Sequence, residues 1–298
     1  MDAKISVIVL TYKRDDILQE TLKRVKSSMG SEVPYKLILV DNNKDLTSRE
    51  HFIEDFDYYL YMKNDFNAGV TGGRMTALRA LEGEIAIFID DDALLEVNED
   101  FPNDLLNEFS DSPDLSVIAF RSFVGEDRAE EDKEFPHTNK KLDRNSSFDT
   151  FRFIGVAHAI RISHFREVGG YCEAFFYGME EFDLSYRLLK KNYRIKYQPA
   201  YCVQHMKQEA GRLPAKNVIQ RMYANKLAVG WMHLPIVYFL ISAVAWFIKT
   251  TKDARSPLIA LKSIGDFIAM ASHGKLQSRK PSKVLAGKIQ SLGGDAWR

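Results

Sequence analysis

Two cysteines, Cys172 and Cys202, are all that 298 residues contain, and they form no CxxC. That argues against a disulfide framework or a cysteine-built zinc site, and it suits a reducing compartment. No GxGxxG follows the first apolar run and no GxxxxGK[ST] occurs anywhere. A dinucleotide dehydrogenase and a P-loop NTPase therefore lack the loop that would hold their phosphates. No basic segment with an apolar core precedes the first strand-like residues, so no signal peptide is expected. The uncharged stretch LPIVYFLISAVAWFI (234–248) has 15 residues, short of the ~20 that span a bilayer. Internal repeats and low-complexity tracts are also missing.

Charge of one sign is missing overall, with 41 Lys and Arg against 41 Asp and Glu, yet the two signs are segregated. Residues 207–298 carry 15 basic and 4 acidic side chains, a balance of +11, and residues 1–206 carry the opposite. An acidic body with a basic tail points to an anionic surface as partner. Nucleic acid fits less well than lipid, because basic and aromatic residues are not interleaved on a recognisable platform.

What is present reads as an α/β chain. ISVIVL (5–10), YKLILV (35–40), YYLYM (58–62) and EIAIFI (84–89) are apolar runs of the kind that strands covered on both faces show. Between them lie a helical pattern from Asp15 or Asp16 to Gly30, with Ile17, Leu18, Leu22 and Val25 on one side, and a second from Val70 to near Gly83. Alternation of this kind predicts a doubly wound, mostly parallel sheet with ligands at the carboxyl ends of its strands. Thr11 and Tyr12, Asp41 to Asn43, and Asp90 to Asp92 fall just past such ends.

The stretch 121–150 is polar and charged, and reads either as a solvated loop or as a cover over a site. After an apolar segment at 153–162, EEFDLSYRLLKKN predicts a helix with Phe182, Tyr186 and Leu189 inward. YRIKYQP then alternates like an edge strand ended by proline.

Three adjacent carboxylates, Asp90, Asp91 and Asp92, close the run AIFI. They read either as a solvated loop that starts a helix or as a site for a cation. A strand-end triplet suits Mg²⁺ or Mn²⁺, held by one or two carboxylates while phosphate oxygens complete the shell. The cation would also make a diphosphate welcome beside carboxylates that otherwise repel it.

The ordered segments SVIVLTYKR, LILVDNN, NAGVTGGR, FIDDDA, FIGVAHAIRISHFREVGGY, GMEEFDLSYRL and YQPAYCVQH resemble family two of the inverting glycosyltransferases, which have the GT-A fold. The resemblance spans about residues 4–206, and seven motifs in one order make it specific. It implies a GT-A-type catalytic domain at 1–206, with the nucleotide-sugar side at about 1–120 and the acceptor side at about 150–206. A basic helical region follows at 207–298.

The resemblance places Thr11, Tyr12, Arg14, Asp41, Asn43, Asn67, Arg74, Asp90 and Asp91 on the donor side. Asp41 is suited to accept the imide N–H of uracil or thymine, hence a UDP- or dTDP-sugar. Asp90 and Asp92 match the family's DxD pair, with Asp92 on the metal and His205 completing its shell. Glu181 stands where the family has an aspartate base, and Glu180 competes for that role. An inverting transfer needs one carboxylate to take the acceptor's proton. Asn192 replaces a usual glycine and tolerates the left-handed conformation.

The tail helices either pack on the catalytic domain or lie in a membrane interface beside their basic residues. Trp246, Phe247 and a stripe of Leu258, Leu261, Ile264 and Ile268 are the candidates for burial in lipid. RMYANKL (221–227) resembles a segment that follows the catalytic domain in bacterial polysaccharide and rhamnosyl transferases. The expectation is a metal-dependent inverting glycosyltransferase, peripheral on the inner face of the cell membrane. Its acceptor is expected to be a glycan or a lipid-linked saccharide in cell-surface polysaccharide synthesis. Two rivals remain: a nucleotidyltransferase acting on sugar phosphates, and a non-catalytic sugar-nucleotide or glycan-binding module.

Overall fold

The apolar runs become strands because their aliphatic side chains can be covered on both faces of a sheet. A computed structural model describes residues 2–297. In it β1 (Ile5–Thr11) keeps Ile5, Val7, Ile8 and Val9 within 1% of full burial. Helix α1 (Asp15–Met29) packs Leu18, Leu22, Val25 and Met29 inward, carries Asp15 and Asp16 in its first turn, and stops at Gly30. Next come β2 (Tyr35–Asp41), β3 (Tyr59–Lys63), α2 (Gly69–Thr76) and β4 (Ile85–Asp90). The helix expected to reach Gly83 tightens into a 3₁₀ turn over Ala77–Ala80 instead. Strands β3-β2-β1-β4 are all parallel, and the register sets Thr11 beside Asp41 and Leu10 beside Asp90. Three strand ends thus open on one place.

The parallel half continues into a mixed one. It is built from β5 (Ala93–Glu96), α3 (Phe101–Asp111), β6 (Leu115–Val124), β7 (Phe148–Thr150), β8 (Ala157–Arg161), α4 (Ile162–Glu167), α5 (Glu180–Lys190) and β9 (Arg194–His205). The order is β3-β2-β1-β4-β8-β6-β9-β5, with β7 also on β9, and β8 runs antiparallel to both neighbours. Residues 121–124, expected in a polar loop, belong to β6, where Ser122 and Val124 are buried. The edge strand expected to end at Pro199 instead runs on to His205 between β6 and β5. Pro199 falls where the register jumps from Gln198 to Cys202 opposite Phe120 and Arg121, so its missing N–H sits in a bulge.

Four helices close the chain: α6 (Ala215–His233), α7 (Ile236–Ala254), α8 (Pro257–Ser272) and α9 (Lys283–Ser291). Ala228, Val229 and Met232 of α6 and Leu285, Ala286 and Ile289 of α9 enter the same core as Ile8, Phe88 and Tyr186. Asp183 of α5 binds His233 Nε2 at 2.7 Å and pairs with Arg187 at 2.6 Å, while Lys190 reaches His233 Nδ1 at 2.8 Å. The helix that carries Glu180 and Glu181 is thereby fastened to the tail. Trp246 and Phe247, expected at a lipid surface, turn inward against Tyr223, Leu227 and Ala260, and so does Ile264. Among the described residues no helix is long and apolar enough to cross a membrane.

Candidate active site

The Asp90–Asp92 triplet does not start a helix. Asp90 ends β4, the next two residues turn the chain, and β5 follows. Nor is the turn solvated, since Asp91 and Asp92 are 2% and 1% exposed. The like charges stay together because each carboxylate meets a cation, Arg74 for Asp90 and Arg14 for both Asp91 and Asp92.

Asp91 accepts from the Tyr12 backbone N–H at 3.0 Å and from Arg14 Nη1 at 2.7 Å. Burial pushes it up to about 7 in spite of Arg14. With both oxygens engaged, Asp91 fixes the loop after β1. Arg14 also lies 3.2 Å from Asp92 Oδ2 and donates to the Ala210 carbonyl at 2.7 Å. It therefore draws the 206–212 loop across the strand ends.

Asp92 is held by that same loop. Its Oδ2 accepts from the Gln208 N–H at 3.1 Å, and its carbonyl accepts from the Met206 N–H at 2.8 Å. Its Oδ1 is buried without a hydrogen-bond partner and lies 3.6 Å from His205 Nε2. On the other side of the ring, His205 Nδ1 is 3.1 Å from Glu134 Oε1. Against the cost of burial, His205 and then Lys207 hold Glu134 down to about 2. A carboxylate on the far ring nitrogen is how proteins orient an imidazole toward a metal. Among the described residues no three His, Cys, Asp or Glu side chains gather into a metal cage. An unpartnered carboxylate oxygen facing a ring nitrogen does fit a hard cation that takes its remaining ligands elsewhere. Glu134 comes from the polar stretch 121–150, and no signal in the sequence singled it out.

Where β1 and β2 end, Thr11 and Asp41 are wholly buried, and Thr11 Oγ1 has no hydrogen-bond partner. Asp41 accepts from Tyr61 Oη at 2.7 Å, from the Asn43 N–H and Nδ2 at 2.8 and 2.7 Å, and from Arg49 Nη1 at 3.3 Å. Burial opposes its charge, but Tyr61, Asn43 and Arg49 hold it below the usual carboxylate range. The expected bond from a pyrimidine imide therefore meets a carboxylate already engaged. Asn43 Oδ1 accepts from the Lys13 N–H at 2.9 Å and so ties the two strand-end loops together. Asn67, two residues before α2, accepts from the Gly69 N–H at 2.9 Å. Gly69, with φ of 74°, packs closely on the Phe176 carbonyl.

Arg74 connects the triplet to the acceptor side. It is 2% exposed, and its Nη2 donates to Asp90 Oδ1 at 2.8 Å and to the Gly155 carbonyl at 2.7 Å. The Glu181 carboxylate and Arg74 Nη1 pack against Gly155, where a Cβ would land on Glu181 Oε1. Glu180 is buried with Oε2 unpartnered, and Met179, in the left-handed conformation at φ 67°, turns the chain so that α5 begins on these two acids. Burial raises both carboxylates above their ordinary range; Glu181 pushes Glu180 further up and Arg74 opposes. A buried carboxylate of raised pKa beside a cleft has the character of a general base. Gly155 and Glu134, like Arg49 and Tyr61 behind Asp41, join the site only through the fold.

Residues 6–169 match the model of glycosyl transferase family 2. An uncharacterised protein of Haemophilus influenzae is 29% identical over 165 residues, covering 53% of this chain and 86% of that protein. In fold the chain is similar to GalNAc-T7 solved with UDP, GalNAc and Mn²⁺, with a TM-score of 0.61 and 17% identity. That match covers 91% of this chain, which spans only 58% of GalNAc-T7. A mannosyltransferase of Pyrobaculum calidifontis, solved with GDP-Man and Mn²⁺, matches with a TM-score of 0.56 and 15% identity over 98% of this chain and 80% of that one. TarS 1–349 of S. aureus matches with a TM-score of 0.53 and 16% identity over 91% of this chain and 92% of that one. The chain is therefore a glycosyltransferase, a member of glycosyl transferase family 2 built on the GT-A fold.

Proposed function

We propose that the chain is a divalent-metal-dependent inverting glycosyltransferase. It moves a sugar from a UDP- or dTDP-sugar to a hydroxyl of a glycan or lipid-linked saccharide in cell-surface polysaccharide synthesis. One observation carries the reading: Arg74 joins Asp90, two residues before the unpartnered Asp92 Oδ1, to Gly155, against which Glu181 packs. A diphosphate site and a proton acceptor are thus built around one guanidinium.

Asp92 and His205 would hold Mn²⁺ or Mg²⁺, and the cation would supply charge neutralisation for the diphosphate. Glu181 takes the proton of the acceptor hydroxyl. The new C–O bond forms on the face of the anomeric carbon opposite the diphosphate, and the old bond breaks to release the nucleoside diphosphate. Arg74 keeps the base and Asp90 in one frame. Asp91 and Arg14 hold the loop after β1 and the 206–212 loop over the donor, and Asp41, Asn43 and Thr11 shape the floor beneath the nucleotide. Asn67 places the start of α2. Family membership sets aside the nucleotidyltransferase, and turnover distinguishes an enzyme from a binding module. The location consistent with a lipid-linked acceptor is peripheral, on the inner face of the cell membrane.

A thermal-shift screen of nucleotides and nucleotide-sugars tests the donor and metal together, because a selective ligand stabilises the fold by mass action. UDP or dTDP should raise the melting temperature only with Mn²⁺ or Mg²⁺ present. A shift indifferent to the cation, or confined to purine nucleotides, contradicts the reading.

A further inference from the structure

We infer that the outward faces of α7 and α8 form a surface that beds into the interface of an anionic membrane and holds the enzyme there without spanning it. This rests on the peripheral location proposed above and adds the residues that create it; the transfer chemistry is independent of it.

The inward faces of these helices are already covered. Phe239, Ala243, Trp246 and Phe247 of α7 and Ala260, Ile264 and Phe267 of α8 pack around Tyr223 and Leu227 of α6. Lys226 places its ammonium over the Phe182 and Trp246 rings at 5.3 and 5.7 Å, so Trp246 is committed to the protein side. An amphipathic surface helix would turn polar residues outward. Instead α7 presents Ile236, Val237, Leu240, Val244 and Ile248, which are 47–63% exposed. At 100° per residue these fall on a face about 120° wide. α8, packed beside α7 and α6, adds Leu258, Leu261 and Ile268 at 54–64%. A soluble surface seldom leaves so much aliphatic side chain in contiguous water contact.

Charge chooses the occupant. Lys249, Lys252, Arg255 and Lys262 are exposed around the α7–α8 junction and outnumber the two exposed acids there, Asp253, which pairs with Lys249, and Asp266; residues 207–298 as a whole carry +11. A second copy docking through the same patch would bring this positive rim against itself, since a two-fold contact pairs like with like. An anionic lipid surface meets the rim with the opposite sign and takes the aliphatic face below its headgroups. The α6 helix on which α7 and α8 pack is itself fixed to the catalytic domain: Asn225 donates to the Tyr177 and Gly178 carbonyls at 3.0 and 2.7 Å.

Vesicle flotation of the full chain tests this, using phosphatidylcholine alone and phosphatidylcholine mixed with phosphatidylglycerol. Binding should require phosphatidylglycerol and weaken, without vanishing, at high salt. The pair Val244→Asp and Ile248→Asp should cut it at least about tenfold with the melting temperature unchanged, as both side chains already face solvent. Lys249→Glu with Lys252→Glu should leave little binding at any salt. Nucleotide affinity measured without vesicles should not change in these variants, so failure here is separable from failure of the donor reading. If the double aspartate variant binds vesicles as the parent does, the aliphatic face is not inserted and the inference falls. It falls equally if the parent ignores both vesicles and elutes as a dimer that Val244→Asp splits.

Discussion

Arg74 Nη2 lies 2.8 Å from Asp90 Oδ1 and, through the Gly155 carbonyl at 2.7 Å, on the wall against which Glu181 rests. One fully enclosed cation therefore sets the spacing between the Asp90 and Glu181 carboxylates. Removing it in Arg74→Ala leaves Asp90 and the carbonyl without their donor, a change of the kind that costs about 3–5 kcal/mol. Arg74→Lys keeps the charge but loses the fork that serves both acceptors. The expected outcome is a fold too weak to purify well for alanine, and for lysine a folded protein with kcat down about 10²-fold. Circular dichroism melts with steady-state kinetics check both.

The cation site makes its own prediction. Asp92→Asn should abolish the dependence of nucleotide affinity on Mn²⁺. Glu134→Gln, which loosens the His205 ring along with the Lys207 pair, should weaken metal-dependent affinity by about 10–100-fold. Calorimetric titration of UDP or dTDP with and without Mn²⁺ measures each. Unchanged affinities in both variants would remove Asp92 and His205 from the metal.

Acidity follows from the burial of Glu180 and Glu181. Both carboxylates are raised, so the ionised base is lost from a higher pH than an ordinary carboxylate as pH falls. kcat/KM should therefore decline on an acid limb whose midpoint lies above the ~4.3 of a free glutamate. Stability has the opposite sign. A carboxyl raised in the folded state weakens the fold as pH climbs above its unfolded value, until the folded value is passed. Glu180→Gln should then raise the melting temperature at neutral pH, at about 2–4 °C per kcal/mol, and the gain should fade in acid. Melts recorded across pH for parent and variant decide it.

Gly155→Ala is the subtler probe of the base. Its methyl group would land on Glu181 Oε1, the free end of a side chain, so the carboxylate yields and the backbone does not. The melting temperature should hold within a few degrees while kcat falls about 10²-fold and donor affinity stays. A variant with parental kcat would place the proton transfer on another group.

Strand cores and their ends were legible because long apolar runs admit little else: Ile5–Leu10, Tyr35–Val40 and Ile85–Ile89 all became strands, with Thr11, Asp41 and Asp90 as their last residues. The tail misled more. An uncharged run such as 234–248 does not say which of its sides faces protein, and Trp246 went inward while Val244 stayed out. β9 was cut short because proline usually ends a strand, whereas here a bulge absorbs it. Glu134, Gly155 and Arg49 were invisible for a different reason. Each acts by meeting a residue far away in sequence, and no local pattern encodes such a meeting.

The most direct measurement is turnover by the purified chain with Mn²⁺, a panel of UDP- and dTDP-sugars and saccharide acceptors. Nucleoside diphosphate release is followed, and the anomeric configuration of the product is read by NMR. The account predicts release from a narrow set of donors, silenced by a chelator, with inverted configuration in the product. Glu181→Gln should slow it by about 10²–10⁴-fold while still binding donor. Retained configuration, turnover that survives the chelator, or a Glu181→Gln enzyme as fast as the parent would contradict it.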